Sequence, residues 1–499
     1  QLIYTFSDKN KVSVAVTGTE AEAKKLCDDI NQMAGREEAV AFPSKELILT
    51  PAKGTTTDYE QMRISALAKV LKGQCSVIVA GIEAVMQPTI PPAKLSQCSL
   101  IIKSSDEINL TNLAAKLSEC GYERCEKVEG SGQFSIRGSI IDIFPVQSAL
   151  PVRIELWGDE IESVSFFDTE SQRRTESVDS IEIPPAFEVL YDNDVLADKL
   201  ENLLSKLRGK KAELVRENLG GDLNRLRAGE IISDSHKYYP LAYDGTISTV
   251  FNYADGAVYF CEYSEILETA SNVHTQFNED MKILLDNGQL CKGLDGYYID
   301  MAQLYHIMQS RTLLYLSSFL QSGERIDFHR LISFEALQTA SWGGEMRQLN
   351  EDLENYTSNG YRIILVAGSE KTLPLIKQDL ENNNISCVSD DDTASLSKGQ
   401  VFLMTGSLSG GFEYPENKTV LITQAKAMKA SARKIKKKKG EEIRSLADIA
   451  EGDLVVHSSY GIGRFAGIRK LEIDDVTKDY LTILYAGTDK LYIPVTQLD

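Results

Sequence analysis

Residues 17–25 are the first segment in which phosphate chemistry could take place, because they lie between a β-rich run and a helical stretch. A phosphate loop needs a glycine-rich turn whose backbone N–H groups hold phosphate, followed by Lys and by Ser or Thr for the terminal phosphates and magnesium. This segment has one glycine, Gly18, and it places Glu20 and Glu22 where phosphate would lie. Since both carboxylates would repel phosphate, the sequence predicts no ATP site here.

Two further segments show the same loss of nucleotide chemistry. The run 257–260 is predicted to be a strand, and Cys261 follows it at the place of a magnesium-binding Asp. Glu262 retains one carboxylate at this point. The stretch 367–371 also follows a predicted strand, but it is too short for a phosphate loop. Strand–helix patterns without a nucleotide site favour a scaffold over an enzyme.

Other catalytic and metal-binding patterns are missing from the sequence. The five histidines are scattered, without a HExxH motif or ligand spacing, and no GxSxG motif occurs. Of the eight cysteines only Cys120 and Cys125 are close together, which is a poor basis for a zinc site. We therefore predict no catalytic residue, no metal ion and no cofactor in this chain, and buried reduced thiols typical of a cytoplasmic protein.

The composition limits the class of protein. The 499 residues correspond to roughly three or four domains. With 53 Lys and Arg against 73 Asp and Glu, the net charge is -20, so the chain is not a general DNA-coating protein. The sequence has no apolar run long enough to span a membrane, and we expect no membrane partner. The chain starts at Gln1 and stops at Asp499 after a strand-like run, which we interpret as part of a longer protein.

Strand and helix patterns alternate over residues 1–100, which predicts a parallel α/β domain. Its predicted strands are 12–16, 46–49 and 76–80. A strand and a helix then precede four β-rich runs, which predict an α+β insert over residues 101–186. These runs are 132–137, 139–144, 152–157 and 161–168. Residues 187–335 are predicted to be mainly helical and to complete the first domain.

A second, smaller α/β domain is predicted over residues 345–424. A basic linker, 425–448, follows: its first sixteen residues contain eight Lys or Arg and no acidic residue. Such a block is typical of a solvated linker, although it could also contact nucleic acid. Residues 449–499 show only β patterns with closely spaced glycines, which predicts a small, strongly bent barrel.

Two parts of the chain resemble a known family. Residues 132–145 (GQFSIRGSIIDIFP) and 152–162 (VRIELWGDEIE) are similar to the insert domain shared by UvrB and the bacterial transcription-repair coupling factors, Mfd. Residues 452–468 (GDLVVHSSYGIGRFAGI), with 478–481 and 490–495, resemble the RNA-polymerase-interacting domain of these factors and of CarD-type regulators. The coupling factors join both segments in this order.

The resemblance implies a fold and a function for each part. Residues 1–335 would form a degenerate RecA-like, UvrB-like module that recruits UvrA, and residues 345–424 would form a connecting domain. Residues 449–499 would form a Tudor- or SH3-like barrel that binds the β subunit of an RNA polymerase stalled at a DNA lesion. The ATP- and magnesium-dependent, helicase-like translocase, which would make most DNA contacts, would follow after Asp499. The chain would then be the N-terminal part of a nucleotide excision repair factor, without enzymatic activity of its own.

The motifs also assign residues to the two partners. Arg137, Arg153 and Trp157 stand where the family has its UvrA-contacting Arg, Arg and aromatic residue, with Trp157 in place of a Phe. Two guanidiniums and a ring are a composition that protein interfaces favour. The alternative is solvated strand arginines and a Trp in the core. Leu471 stands at the family's apolar polymerase contact, and the alternative is a core Leu; a strand edge nearby could pair with a polymerase strand.

Two other functions stay open from the sequence. A UvrB-type helicase subunit of the excision nuclease would need a working phosphate loop and a Tyr-rich β-hairpin that inserts into DNA. Neither pattern is visible in the sequence. A CarD-like transcription regulator would account for residues 451–499 and leave the rest of the chain without a role.

Overall fold

The structure, a computed structural model, divides the chain into two units, Gln1–Lys426 and Ala427–Asp499. The residues that it describes are 1–45, 58–230, 232, 235–296, 298–318, 328–339, 342, 346–369, 371–388, 397–424, 454–457, 461–473, 476–484 and 490–494.

Helices and strands alternate at the start of the first unit, as the sequence predicts. The elements are α1 (Leu2–Phe6), β1 (Ser13–Thr17), α2 (Glu20–Ala34), β2 (Ala39–Phe42), α3 (Asp58–Leu71), β3 (Val77–Gly81), α4 (Ile82–Val85) and α5 (Pro92–Cys98). β1 and β3 are buried along their whole length, because helices cover both faces of a parallel sheet. α2 begins at a capping box formed by Thr19 and Glu22 and ends at Gly35, whose φ is 66°.

The insert follows α5 and returns to its starting point. Its elements are β4 (Leu100–Lys103), α6 (Leu110–Glu119), β5 (Glu123–Arg124), β6 (Gln133–Arg137), β7 (Ile140–Ile143), β8 (Val152–Trp157), β9 (Glu160–Phe167), β10 (Arg174–Ser177) and β11 (Ser180–Ile183). One sheet has the order β10-β9-β8-β7-β6-β5, and its apolar face packs on α6 in a core that includes Leu117, Phe134 and Ile154. β11 pairs antiparallel with β4, so the two ends of the insert lie together.

The chain after the insert completes the first sheet. Its elements are α7 (Asn193–Lys206), α8 (Ala212–Arg227), α9 (Tyr239–Ala242), β12 (Val258–Cys261), α10 (Tyr263–Asp286), α11 (Met301–Met308) and β13 (Leu313–Leu316), with 3-10 helices at Ser235–Tyr238 and Val250–Tyr253. The sheet is parallel, in the order β13-β12-β1-β3-β2. Residues on both sides of the insert therefore belong to one domain.

A second sheet lies in the same unit. Its elements are β14 (Leu337–Thr339), α12 (Met346–Ser358), β15 (Arg362–Ala367), α13 (Leu373–Asn382), β16 (Cys387–Val388), β17 (Val401–Thr405), β18 (Gly411–Tyr414) and β19 (Thr419–Thr423). The order is β14-β18-β19-β15-β17-β16. This domain contacts α2 of the first, where the Ser409 backbone N–H donates to Asp29 Oδ1 at 2.8 Å and Met33 packs against an apolar cluster that includes Leu408.

The unit Ala427–Asp499 contains an antiparallel sheet in the order β20-β21-β22-β23. The strands are β20 (Leu454–His457), β21 (Gly461–Ile473), β22 (Val476–Leu484) and β23 (Lys490–Pro494). The β21–β22 pairing shifts between Phe465 and Ile468, and Gly467 has a φ of 89° there. Such a bulge bends a strand. The predicted basic linker, 425–448, lies outside the described residues.

The predicted mixed α/β architecture of several domains is confirmed, and the structure adds strands that the sequence patterns did not indicate. β2, β13 and β18 were not predicted. β2 contains two alanines, which have low strand propensity, so its place beside β3 rather than its composition makes it a strand. The predicted strand at 46–49 lies outside the described residues.

Candidate protein-docking face of the insert

The side chains of β8 alternate between the core and a polar side of the insert sheet. From Val152 to Leu156 the residues are alternately buried and half-buried, and Trp157 is exposed. Because successive side chains of a strand point to opposite sides, Arg153 and Trp157 lie on the same side. We call this surface the arginine–tryptophan face; it consists of Arg137, Arg153 and Trp157.

Strand pairing brings Arg137 to this face. Arg137 of β6 pairs with Ile140 of β7, and Ile140 pairs with Glu155 of β8. Directly opposed residues lie on the same side of a sheet, so Arg137 and Glu155 flank Ile140 at about 10 Å, two strand spacings. Trp157 follows two residues later on β8. Arg137 and Trp157 therefore occupy the same end of the face.

A buried carboxylate connects the two arginines. Asp142 of β7 is 1% exposed and pairs with Arg153 across the strands. Its Oδ1 accepts from Arg153 Nε at 2.7 Å, and its Oδ2 accepts from Arg153 Nη2 at 2.9 Å and from Arg137 Nη2 at 2.5 Å. Charge-assisted hydrogen bonds of this kind hold guanidiniums in place. Asp142 was not predicted as a functional residue, although a lone acid in the run IIDI is itself a sign of a buried, paired charge.

The two arginines differ in what they offer to a partner. The Arg153 side chain is 13% exposed, and its guanidinium carbon lies 4.3 Å from the centroid of the Phe167 ring. It also donates to Gln172, from Nη2 to Oε1 at 2.9 Å and from Nη1 to the backbone oxygen at 3.4 Å. Its hydrogen bonds to Asp142 raise the pKa of Arg153. The Arg137 side chain is 47% exposed, so Arg137 presents the more accessible guanidinium.

Trp157 is 79% exposed, so the alternative interpretation of Trp157 as a core residue is wrong. The strand ends there at a turn in which Gly158 has a φ of 66°, and the chain continues into β9. An adjacent ion pair, in which Arg174 Nη2 donates to Glu155 Oε1, adds a third guanidinium that was not predicted from the sequence. An exposed aromatic ring beside arginines is a favoured composition for a protein-docking surface.

The carboxylates that were predicted to exclude phosphate lie at the start of α2. Glu22 Oε2 accepts from the Thr19 backbone N–H at 3.0 Å, and the Thr19 hydroxyl accepts from the Glu22 N–H at 3.3 Å. Glu20 Oε2 accepts from the N–H and the hydroxyl of Ser44 at 3.2 and 2.9 Å. A helix N-terminus attracts anions through its free N–H groups. Here the carboxylate of Glu22 accepts from the N–H of the N-cap residue, and the carboxylate of Glu20 is held nearby by Ser44.

The residues at the end of β12 are committed to other contacts. Burial raises the pKa of the Cys261 thiol to about 12, so this thiol is neutral near pH 7. Glu262 Oε1 accepts from the N–H and the hydroxyl of Ser318 at 2.8 and 2.6 Å.

In the described part of the chain, no three His, Cys, Asp or Glu side chains cluster closely enough to hold a metal ion. None of the helices described combines the length and apolar character needed to cross a membrane.

A second set of charges, which was not predicted from the sequence, lies inside the first domain. This buried charge network consists of Lys45, Glu60, Arg63, Glu188 and His236. Glu188 accepts from Lys45 Nζ at 2.5 Å and from Arg63 Nε at 3.0 Å. Burial opposes ionisation of Glu188, but these two cations lower its pKa to about 2. Burial raises the pKa of Glu60 to about 7 and lowers that of His236 to about 3. The network joins chain segments on both sides of the insert.

Leu471, the predicted polymerase contact, lies near the end of the β21–β22 hairpin. Its backbone pairs with Lys478, two residues before β21 ends at Ile473. Its side chain lies outside the described part of the structure. Leu471 and the arginine–tryptophan face belong to different units of the chain.

Two family models match the chain. The model described as the UvrB interaction domain matches residues 100–188. The model described as the CarD-like/TRCF RID domain matches residues 449–499. The first match contains the arginine–tryptophan face and Asp142, and the second contains the β20–β23 sheet with Leu471.

Curated relatives match the chain over almost its whole length. A transcription-repair-coupling factor of Bacillus subtilis is 30% identical over 507 residues, which cover 99% of this chain and 43% of the relative. Factors of the same name from Staphylococcus aureus and Staphylococcus haemolyticus are 25% and 26% identical, over 99% and 98% of this chain and 43% and 42% of those proteins. The chain therefore spans less than half the length of these relatives. The matches confirm the family resemblance that the two sequence motifs indicated.

Proposed function

We propose that this chain, which is related to the transcription-repair-coupling factors over almost its entire length, works as the docking part of such a factor. In this role it binds an RNA polymerase that has stalled at a DNA lesion and recruits UvrA for nucleotide excision repair. The ATP-dependent translocase that uses ATP and magnesium, and that makes most of the contacts with DNA, belongs to the rest of the factor.

UvrA is the proposed partner of the insert. The observation that carries this proposal is the arginine–tryptophan face, within a segment that matches the UvrB interaction domain. Trp157 is 79% exposed on a sheet whose opposite side is a packed core. Tryptophan and arginine are among the residues most enriched in binding hot spots.

RNA polymerase is the proposed partner of residues 449–499, and its β subunit is the proposed contact of Leu471. The match to the CarD-like/TRCF RID domain supports this assignment. We further propose that the strands β20–β23 belong to a small Tudor- or SH3-like barrel. The bulge at Gly467 supports strong bending of β21.

For the first domain we propose a degenerate RecA-like, UvrB-like fold that holds no nucleotide. The parallel order β13-β12-β1-β3-β2 and the Glu20 and Glu22 carboxylates at the start of α2 support it. A UvrB-type helicase is less well supported, because its phosphate site would coincide with these carboxylates. A CarD-like regulator would leave the segment that matches the UvrB interaction domain without a role.

Capture of purified UvrA by the 499-residue chain tests the proposed function. We expect a triple Ala variant of Arg137, Arg153 and Trp157 to lose at least about tenfold in affinity, since hot-spot residues dominate such interfaces. A matched triple Ala variant of Arg330, Arg347 and Phe328 removes two arginines and an aromatic residue outside the insert and should bind normally. Undiminished capture by the first variant would exclude the arginine–tryptophan face as the UvrA surface.

A further inference from the structure

Asp142 has no surface of its own to offer to a docking protein. It is 1% exposed, and both of its carboxylate oxygens accept hydrogen bonds from guanidiniums of the arginine–tryptophan face. A buried carboxylate that accepts hydrogen bonds from two guanidiniums holds both of them in place. Any effect of Asp142 on a partner must therefore pass through the arginines.

Arg153 is also largely occupied inside the insert. It gives two hydrogen bonds to Asp142 and two to Gln172, and the Phe167 ring lies under its guanidinium. A guanidinium has five N–H donors in a fixed fork. With four hydrogen bonds made and a side-chain exposure of 13%, Arg153 has little left for an external carboxylate.

Arg137 is the arginine that remains available. Among the described residues its side chain makes one hydrogen bond, from Nη2 to Asp142, and it is 47% exposed. The three hydrogen-bonded side chains of Arg153, Asp142 and Arg137 together carry two positive charges and one negative charge, so the group has a net charge of one positive unit. This charge is presented at the same end of the face as Trp157.

We propose that Asp142 and Arg153 are positioning residues that act on the partner through Arg137, and that Arg137 and Trp157 make the contact. Arg137 would bind a carboxylate of the partner, and Trp157 would enter an apolar pocket. This assignment rests on the proposed function of the insert in UvrA binding. Holding Arg137 in one conformation before binding removes an ordering cost from the association.

A double-mutant cycle tests the proposal, with UvrA affinity measured by calorimetry on the full 499-residue chain. Asp142→Asn keeps the side-chain size but removes the negative charge and one of the two acceptor oxygens, so the side chain cannot accept all three guanidinium hydrogen bonds. We expect Asp142→Asn and Arg137→Ala each to weaken binding about tenfold. In the Arg137→Ala background, Asp142→Asn should have no further effect, because its route to the partner is already lost.

The outcomes separate the possible failures. If Asp142→Asn binds as tightly as the parent chain while Arg137→Ala does not, the positioning role is wrong. If Asp142→Asn weakens binding equally in both backgrounds, Asp142 acts through the fold or through another residue, and the proposal is again wrong. If neither Arg137→Ala nor Trp157→Ala changes the affinity, the error lies in the proposed UvrA surface itself.

A second variant tests the same proposal independently, in case Asp142→Asn does not fold. Gln172→Asn shortens the side chain that accepts from Arg153, and Asn tolerates the φ of 58° at this position. We expect a two- to threefold loss of UvrA affinity that disappears in the Arg137→Ala background, about what one hydrogen bond contributes. The same threefold loss in that background would contradict the proposal. Asp179→Asn, an exposed acid between β10 and β11, is the matched control and should bind normally.

Discussion

Individual side chains decide how the first domain responds to pH. Glu60 and His236 face each other inside the buried charge network, with Glu60 Oε2 3.9 Å from His236 Nε2. Lys45 and Arg63 are the neighbouring cations, and Glu188 is their anion. Both titrating groups favour their neutral forms in the folded state, because burial penalises charge. Their effects on stability run in opposite directions with pH.

The signs follow from the two pKa values. His236 has a pKa of about 3 when folded and 6.5 in its ordinary state, so only the unfolded chain takes up a proton as the pH falls below 6.5. This lowers the free energy of unfolding towards low pH. Glu60 has a pKa of about 7 when folded and 4.5 ordinarily, so the folded chain retains a proton that the unfolded chain loses as the pH rises from 4.5 to 7. This lowers stability towards neutral pH.

Substitution of either residue should therefore tilt the pH profile of stability. Relative to the parent chain, we expect His236→Gln to gain stability on going from pH 6.5 to pH 5, and Glu60→Gln to lose it. Each change should amount to about 2 kcal/mol at most over this window. Urea unfolding at several pH values, followed by a probe in the first domain, measures the effect. Parallel profiles of both variants and the parent would show that neither group is shifted as described.

At the scale of elements, the N-terminus of α2 is stabilised by residues that lie where a bound phosphate would be expected. Thr19 caps the helix, and Glu22 completes the capping box. We expect Thr19→Ala to reduce the free energy of unfolding by about 1 kcal/mol, since the hydroxyl acceptor is lost. Thr19→Ser retains the acceptor and serves as the control. A Thr19→Ala chain as stable as Thr19→Ser in urea unfolding would contradict this role of the cap.

The β21–β22 hairpin is the element on which the polymerase assignment depends. We expect Leu471→Arg to abolish binding to the RNA polymerase β subunit, because a charge would be forced into an apolar contact. The variant should fold normally, as judged by circular dichroism. Lys470→Arg changes the neighbouring residue conservatively and should bind as the parent does. A Leu471→Arg chain that is still captured by the β subunit in a pull-down would exclude Leu471 as a contact.

At the scale of the whole molecule, the two proposed docking surfaces lie in different units of the chain. A substitution in one surface should therefore abolish binding of one partner and leave binding of the other unchanged. The triple Ala variant of Arg137, Arg153 and Trp157 should lose UvrA and retain RNA polymerase, and Leu471→Arg should do the reverse. Only the parent chain should capture UvrA on immobilised RNA polymerase, which a three-component pull-down measures. Loss of both partners in either variant would contradict two independent surfaces.

Much of the insert could be predicted because its determinants are local. The alternation of apolar and polar residues predicted β6 to β9, and the structure confirms these strands within a few residues. Gly158 marked the turn after β8. β2 and β13 escaped prediction because their short runs are stabilised by neighbours that come from distant parts of the sequence.

The sequence by itself determined the family resemblance, the strands of the insert and the carboxylates at the start of α2, since these depend on residue type and short spacing. Tertiary structure alone decided that Asp142 serves both arginines, that Trp157 is exposed, and that Glu188 meets Lys45 and Arg63 from 143 and 125 residues away. The physical reason is that burial and charge pairing depend on which strands and helices become neighbours. A one-dimensional pattern does not specify those neighbours.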